Sequence, residues 1–138
     1  MAWLAKLLGL NKFSFNEINI EKDVVYSIIN LALANYPKEF IAYLQGKVKN
    51  NVLNVYGLLY QHYKHNFHSA SIENKLPLIT DFVGSVHSHP SYGNYPSNQD
   101  LQFFNKNGLL HLIICKPFTP ENIRAFNLKG EELIFSVK

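Results

Sequence analysis

Apolar positions along the chain change period several times, and each change marks an element. Phe13, Phe15, Ile18 and Ile20 suggest a short strand or an extended entry. Val24, Val25, Ile28, Ile29, Leu31 and Ala32 then recur at helical spacing, predicting a helix over 21–36 that Pro37 stops. Residues 39–47 and 52–61 carry Phe, Ile, Tyr, Val and Leu at strand density, with Lys49, Asn50 and Asn51 as the turn between them. Residues 62–79 are polar and irregular, a long connection of the kind that often carries function. A strand is expected over 81–89, a loop rich in Gly, Pro, Ser and Asn over 90–96, and a helix over 97–107 that Gly108 stops. The run 109–115 reads as a buried strand. Residues 123–128 and 131–137 read as a hairpin across Lys129-Gly130. The order β-α-β-β-β-α-β-β-β predicts an α/β fold, a mixed β-sheet flanked by helices in a three-layer-like arrangement.

Length and composition narrow this picture. The 138 residues suit one domain, and 47% hydrophobic residues can fill a core. Cys115 is the one cysteine, so disulfide scaffolds and Cys-rich zinc sites are excluded. Six histidines leave imidazole and carboxylate as the available metal ligands. A net charge of +3 is too weak to argue for nucleic acid. No apolar run reaches the ~18 residues of a membrane span, and no leader is read at the N-terminus, so a cytoplasmic location is expected. Trp3, Leu4, Leu7 and Leu8 share one helical face of residues 1–10. A short helix packed on the domain is favoured there over one lying on a membrane or a partner. Residues 1–17 are set apart as an extension and 18–138 as the domain.

The segment V-H-S-H-P-S-Y-G-N-Y-P-S-N-Q-D, residues 86–100, carries the chemistry. Strand alternation sends His87 and His89 to one face, and Pro90 ends the strand just beyond them. Open α/β sheets bind ligands outside that end. Asp100, eleven residues after His89, lies within loop reach as a third ligand. Two imidazoles and a carboxylate would leave a fourth zinc position open, the mark of a catalytic site. A Ser97–Asp100 helix cap fits the same residues. The conjunction of spacing, proline and serine favours the metal site. A zinc site also needs a base for its water, and Glu39 is the candidate, although its spacing alone suits a solvated residue at a strand start.

In these residues the chain resembles the JAMM, or MPN-plus, metalloproteases. The family pattern is a glutamate near an early strand, then His-x-His, ten residues and Asp, with a Ser three before the Asp. Here these are Glu39, His87, His89, Ser97 and Asp100. The likeness covers roughly residues 20–138 and is closest to short archaeal and bacterial single-domain members. It implies Zn²⁺ on His87, His89 and Asp100, Glu39 acting on the water, and Ser97 donating to the oxyanion. It implies a cytidine-deaminase-like layer arrangement and hydrolysis after the C-terminal glycine of a ubiquitin-like or sulfur-carrier protein. A strand edge beside the zinc, with segment 62–79 and loop 91–96, would hold that extended tail. Tyr92 and Tyr95 are candidate substrate contacts or simply loop packing. A non-catalytic MPN-type interaction module is the alternative; intact Glu39 and Ser97 weigh against it.

Other candidates are weaker. His62, His65 and His68 would align on a helix, but their segment is not helical in pattern and supplies no carboxylate, so exposed polar residues are expected. His111 reads as a satisfied strand residue and Cys115 as an inert core thiol. Without H-E-x-x-H or P-C-x-x-C, the chain is neither a zincin nor a zinc deaminase.

Overall fold

A computed structural model describes residues 14–60, 81–104 and 108–138. The expectations for residues 1–13 and for His62, His65 and His68 fall outside them, as does all of segment 62–79. The described strands are β1 (Glu17–Ile20), β2 (Ile41–Lys49), β3 (Val52–Leu59), β4 (Phe82–Ser88), β5 (Leu110–Ile114), β6 (Ile123–Phe126), β7 (Glu132–Leu133) and β8 (Ser136–Val137). Among the described residues two α-helices, α1 (Lys22–Asn35) and α2 (Asn98–Phe104), and a short 3-10 turn (Pro120–Asn122) interrupt them.

The strands form one mixed sheet in the order β7-β6-β5-β4-β2-β3-β1-β8. The stretch 131–137, expected as one strand, is two. β7 pairs antiparallel with β6, and β8 pairs parallel with β1 at the far edge. Only Ile134 and Phe135 separate them, a span of about 11 Å at most. The two edges therefore approach each other, and the sheet is curled. Alternation of apolar residues could not show this, because it is a property of the whole sheet.

α1 buries Val24, Val25, Ile28 and Ala32 against one face, where Leu44, Val55, Val86, Leu112 and Ile114 are also buried. It ends where Tyr36 turns extended ahead of Pro37, as a residue before proline prefers. α2 covers the other face with Phe104, which packs with Ile113 and Phe126. These helices make the expected three layers. Between β2 and β3, Asn50 and Asn51 both take positive φ, the two-residue turn whose twist matches a hairpin. Gly84 sets the closest approach in the sheet: a Cβ there would lie 1.6 Å from the Leu110 carbonyl oxygen. The parallel β4–β5 pair that carries the histidines thus requires glycine at this position.

Candidate metal centre

His87 lies near the end of β4 on the face that α2 covers. Register places Ile41 on one side of it and Ile113 on the other, both apolar. The rings of Phe103 and Phe104 meet the His87 imidazole edge-on, at centroid distances of 4.8 and 5.9 Å. The imidazole is therefore buried and walled by hydrocarbon, which fixes its plane.

His89 follows the strand. Its backbone N–H donates to the Ile114 carbonyl, and its Nδ1–H donates to the Gly93 carbonyl at 3.0 Å. That bond assigns the tautomer and turns Nε2 toward α2, where it meets Asp100 Oδ2 at 3.0 Å. A histidine oriented by a backbone carbonyl in this way is arranged as a metal ligand usually is.

Asp100 stands in the first turn of α2, held by a reciprocal cap. The Ser97 N–H donates to Asp100 Oδ2 at 2.8 Å, and the Asp100 N–H donates to Ser97 Oγ at 3.1 Å. The cap and the ligand readings of this motif are thus both realised, because the cap aims the carboxylate at the histidines. Asp100 Oδ1 lies 3.5 Å from His87 Nδ1. Burial works against the Asp100 charge, but hydrogen bonds from His87, His89 and the Ser97 N–H outweigh it and hold the carboxyl far below its ordinary range. The same contact with Asp100 raises the His89 pKa against the effect of burial, helped by the Gly93 carbonyl and the charge of Glu39.

Glu39 precedes β2. The antiparallel register pairs Ile41 with His87, and continuing it by two residues sets Glu39 opposite His89 on the same face. Phe40 locks this placement. Its N–H donates to the buried Ser88 Oγ at 2.8 Å, and its carbonyl accepts the Ser88 N–H at 3.1 Å. Glu39 itself is exposed.

Among the described residues no three His, Cys, Asp or Glu side chains are preassembled around a common point. The two histidines are instead joined through Asp100. Two observations fit zinc. The ligand atoms of a tetrahedral zinc site stand about 3.3 Å apart, and His89 Nε2 and Asp100 Oδ2 lie 3.0 Å apart, close to that distance. In addition, His87 Nε2 is buried with no hydrogen-bond partner among the described residues. Such an atom costs about 1–3 kcal/mol unless something binds it.

The structure thus brings together His87, His89, Ser97, Asp100 and, by register, Glu39. Tyr92 and Tyr95 sit in the loop between His89 and α2, both largely exposed. Tyr95 stacks under the Arg124 guanidinium and tilts against Phe126. β4 is paired on both sides, by β2 and β5, so it offers no free edge beside the histidines for a tail to join. His111 is buried, stacked on Phe104, and accepts from Ser85 Oγ–H while donating to the Gly108 carbonyl. Cys115 is a buried thiol whose pKa burial raises. Both match the sequence reading. That reading missed Ser88, the Gly93 carbonyl and the Phe103-Phe104 wall. Of these, Ser88 had a signal, since alternation sends the residue between two ligands to the opposite face, where a buried hydroxyl needs a partner.

Residues 21–129 match the family described as prokaryotic homologues of the JAB domain. A probable metalloprotease of Haloferax volcanii is 30% identical over 128 residues, covering 83% of this chain and 75% of that protein. The structure reported as "JAMM: A Metalloprotease-like Zinc Site in the Proteasome and Signalosome" superposes with a TM-score of 0.67 at 29% identity, over 89% of this chain and 99% of that one. A JAB1/MPN domain protein from Archaeoglobus fulgidus gives the same TM-score and identity, over 89% and 98%. A protein from Desulfitobacterium hafniense, 20% identical with a TM-score of 0.67 over 88% and 92%, shares the fold.

Proposed function

The chain belongs to the JAMM-type metalloprotease family, among the prokaryotic homologues of the JAB domain, and from that premise we propose that it is a zinc-dependent peptidase or isopeptidase. Its substrate is the bond after the C-terminal glycine of a ubiquitin-like or sulfur-carrier protein. The observation that carries the reading is Asp100 capped on α2 and shared between His87 and His89, with Glu39 in register beside them.

His87, His89 and Asp100 would hold the ion. When bound, zinc supplies Lewis acidity toward the scissile carbonyl and acidifies water. Glu39, exposed at the mouth of the site, takes a proton from the attacking water and returns it to the leaving amine. Ser97 Oγ accepts the Asp100 N–H, which leaves its own proton to donate to the developing oxyanion. Gly93 and the Phe103-Phe104 wall keep the imidazoles oriented through these steps.

Incubation of the zinc-loaded chain with a ubiquitin-like fusion, with and without chelator, tests this. Cleavage after the terminal glycine that chelation abolishes is expected. An intact fusion under both conditions, with zinc bound, would assign the chain to the non-catalytic class instead.

A further inference from the structure

Lys116 stands two residues beyond β5, where its backbone N–H donates to the Ser91 carbonyl of the loop that carries Tyr92. Its ammonium bonds the Tyr36 hydroxyl at 2.6 Å, lies 4.4 Å from the Tyr36 ring centroid and 5.5 Å from that of Tyr92. Tyr36 is braced edge-on by the buried Phe118. Three segments therefore converge on one cation: the end of α1, the end of β5 and the metal-site loop.

Among the described residues Lys116 makes no ion pair. Arg124, by contrast, is committed to Glu132 and Asn94. Lys116 has three N–H donors and spends one on Tyr36, so two remain for another acceptor. The Tyr36 hydroxyl raises its pKa, so the charge persists at neutral pH. Tyr36 and Tyr92 stay substantially exposed as aromatic walls. An ammonium held between two rings, with no carboxylate partner among the described residues, is arranged for an incoming anion.

The cluster also lies close to the chemistry. Tyr36 is three residues from Glu39, and β4–β5 register continued by one residue puts Cys115 beside His89. With strands about 4.8 Å apart, the ammonium lies on the order of 10–15 Å from His89, a distance that three or four extended residues cover.

Resting on the peptidase reading above, we propose that Tyr36, Lys116 and Tyr92 form a subsite for a substrate carboxylate within about four residues of the scissile bond. The carboxylate is either an acidic side chain or the free end of a short leaving segment.

The test uses amidated peptides with a central Gly-Gly that carry Glu, or Gln in its place, three residues to either side. A further pair ends in a free or an amidated carboxyl at the same distance. Zinc-loaded wild type should favour the matching acidic peptide about five-fold in kcat/KM, the upper range for an exposed ion pair. The ratio should fall to about one in Lys116→Gln and return in Lys116→Arg. The arm that responds identifies the source of the carboxylate. Equal ratios in wild type and Lys116→Gln would overturn the subsite. If wild type cuts no peptide, the peptidase reading fails separately, and calorimetric binding of the same peptides decides the subsite. A preference for acid that Lys116→Gln removes supports it, and none overturns it.

Discussion

Ser88 Oγ accepts the Phe40 N–H at 2.8 Å across 48 residues of sequence, and this buried bond fixes where Glu39 stands relative to His89. Ser88→Ala leaves that N–H unsatisfied in the core. We expect it to cost about 1–3 kcal/mol in urea denaturation, with hydrolysis falling by more than the loss of folded protein explains. Ser88→Thr, which keeps the hydroxyl, should recover both. If Ser88→Ala keeps wild-type turnover per folded molecule, the bond does not position Glu39.

The Ser97–Asp100 cap serves helix and ligand together. Ser97→Ala removes the side-chain half and should cost about 1 kcal/mol of stability. The backbone bond from the Ser97 N–H to Asp100 Oδ2 survives, but the first turn that carries Asp100 is loosened, so zinc affinity should weaken in the same variant, read by competition with a chromophoric chelator. An unchanged affinity would separate the cap from the metal site.

The fold was largely legible in the sequence, and the reasons are local. The helical spacing of Val24, Ile28 and Ala32 and the stop at Pro37 are properties of a few residues, and they gave α1 almost to its ends. The Asn50-Asn51 turn carries its own conformational preference. His87, His89, Ser97 and Asp100 lie within fourteen residues, so one strand, one loop and one helix cap bring them together. Glu39 was harder to read, because its placement depends on β2–β4 register between segments far apart in sequence. The crossing from β7 to β8 was not legible at all, since it requires the whole sheet to curl.

Zinc binding should be coupled to a proton. Asp100 keeps its charge far into the acid range while it raises the His89 pKa, so the apo chain, prepared by chelation, holds an imidazolium–carboxylate pair below neutral pH. That pair is fully stabilising between the ordinary values of 3.8 and 6.5. It is lost as pH rises through the raised His89 pKa, and again as pH falls through the depressed Asp100 pKa. Zinc must displace the His89 proton. Affinity should therefore climb with rising pH and level off above the raised His89 pKa, with proton release seen by calorimetry in two buffers. A pH-independent affinity over this range would remove His89 as a ligand.

Burial pulls the His111 pKa down from 6.5 to about 4, so this residue is neutral in the folded chain near neutral pH. The unfolded chain binds the proton more readily. Stability from His111 is thus fully present above pH 6.5 and declines as pH falls toward about 4, by on the order of 3 kcal/mol. The double variant Ser85→Ala, His111→Phe removes the titrating ring and the hydroxyl it would orphan. Its urea midpoint should change less than that of wild type between these pH values, and an equal acid sensitivity would clear His111.

The central claim is that zinc held by His87, His89 and Asp100 works with Glu39 as its base. The most direct test measures zinc content and fusion cleavage on the same preparation of Glu39→Gln. About one zinc per chain is expected in the variant as in wild type, with cleavage lowered at least a hundredfold, the scale of a lost general base. Wild-type cleavage by Glu39→Gln would contradict the account, and so would a variant that is inactive because it carries no zinc.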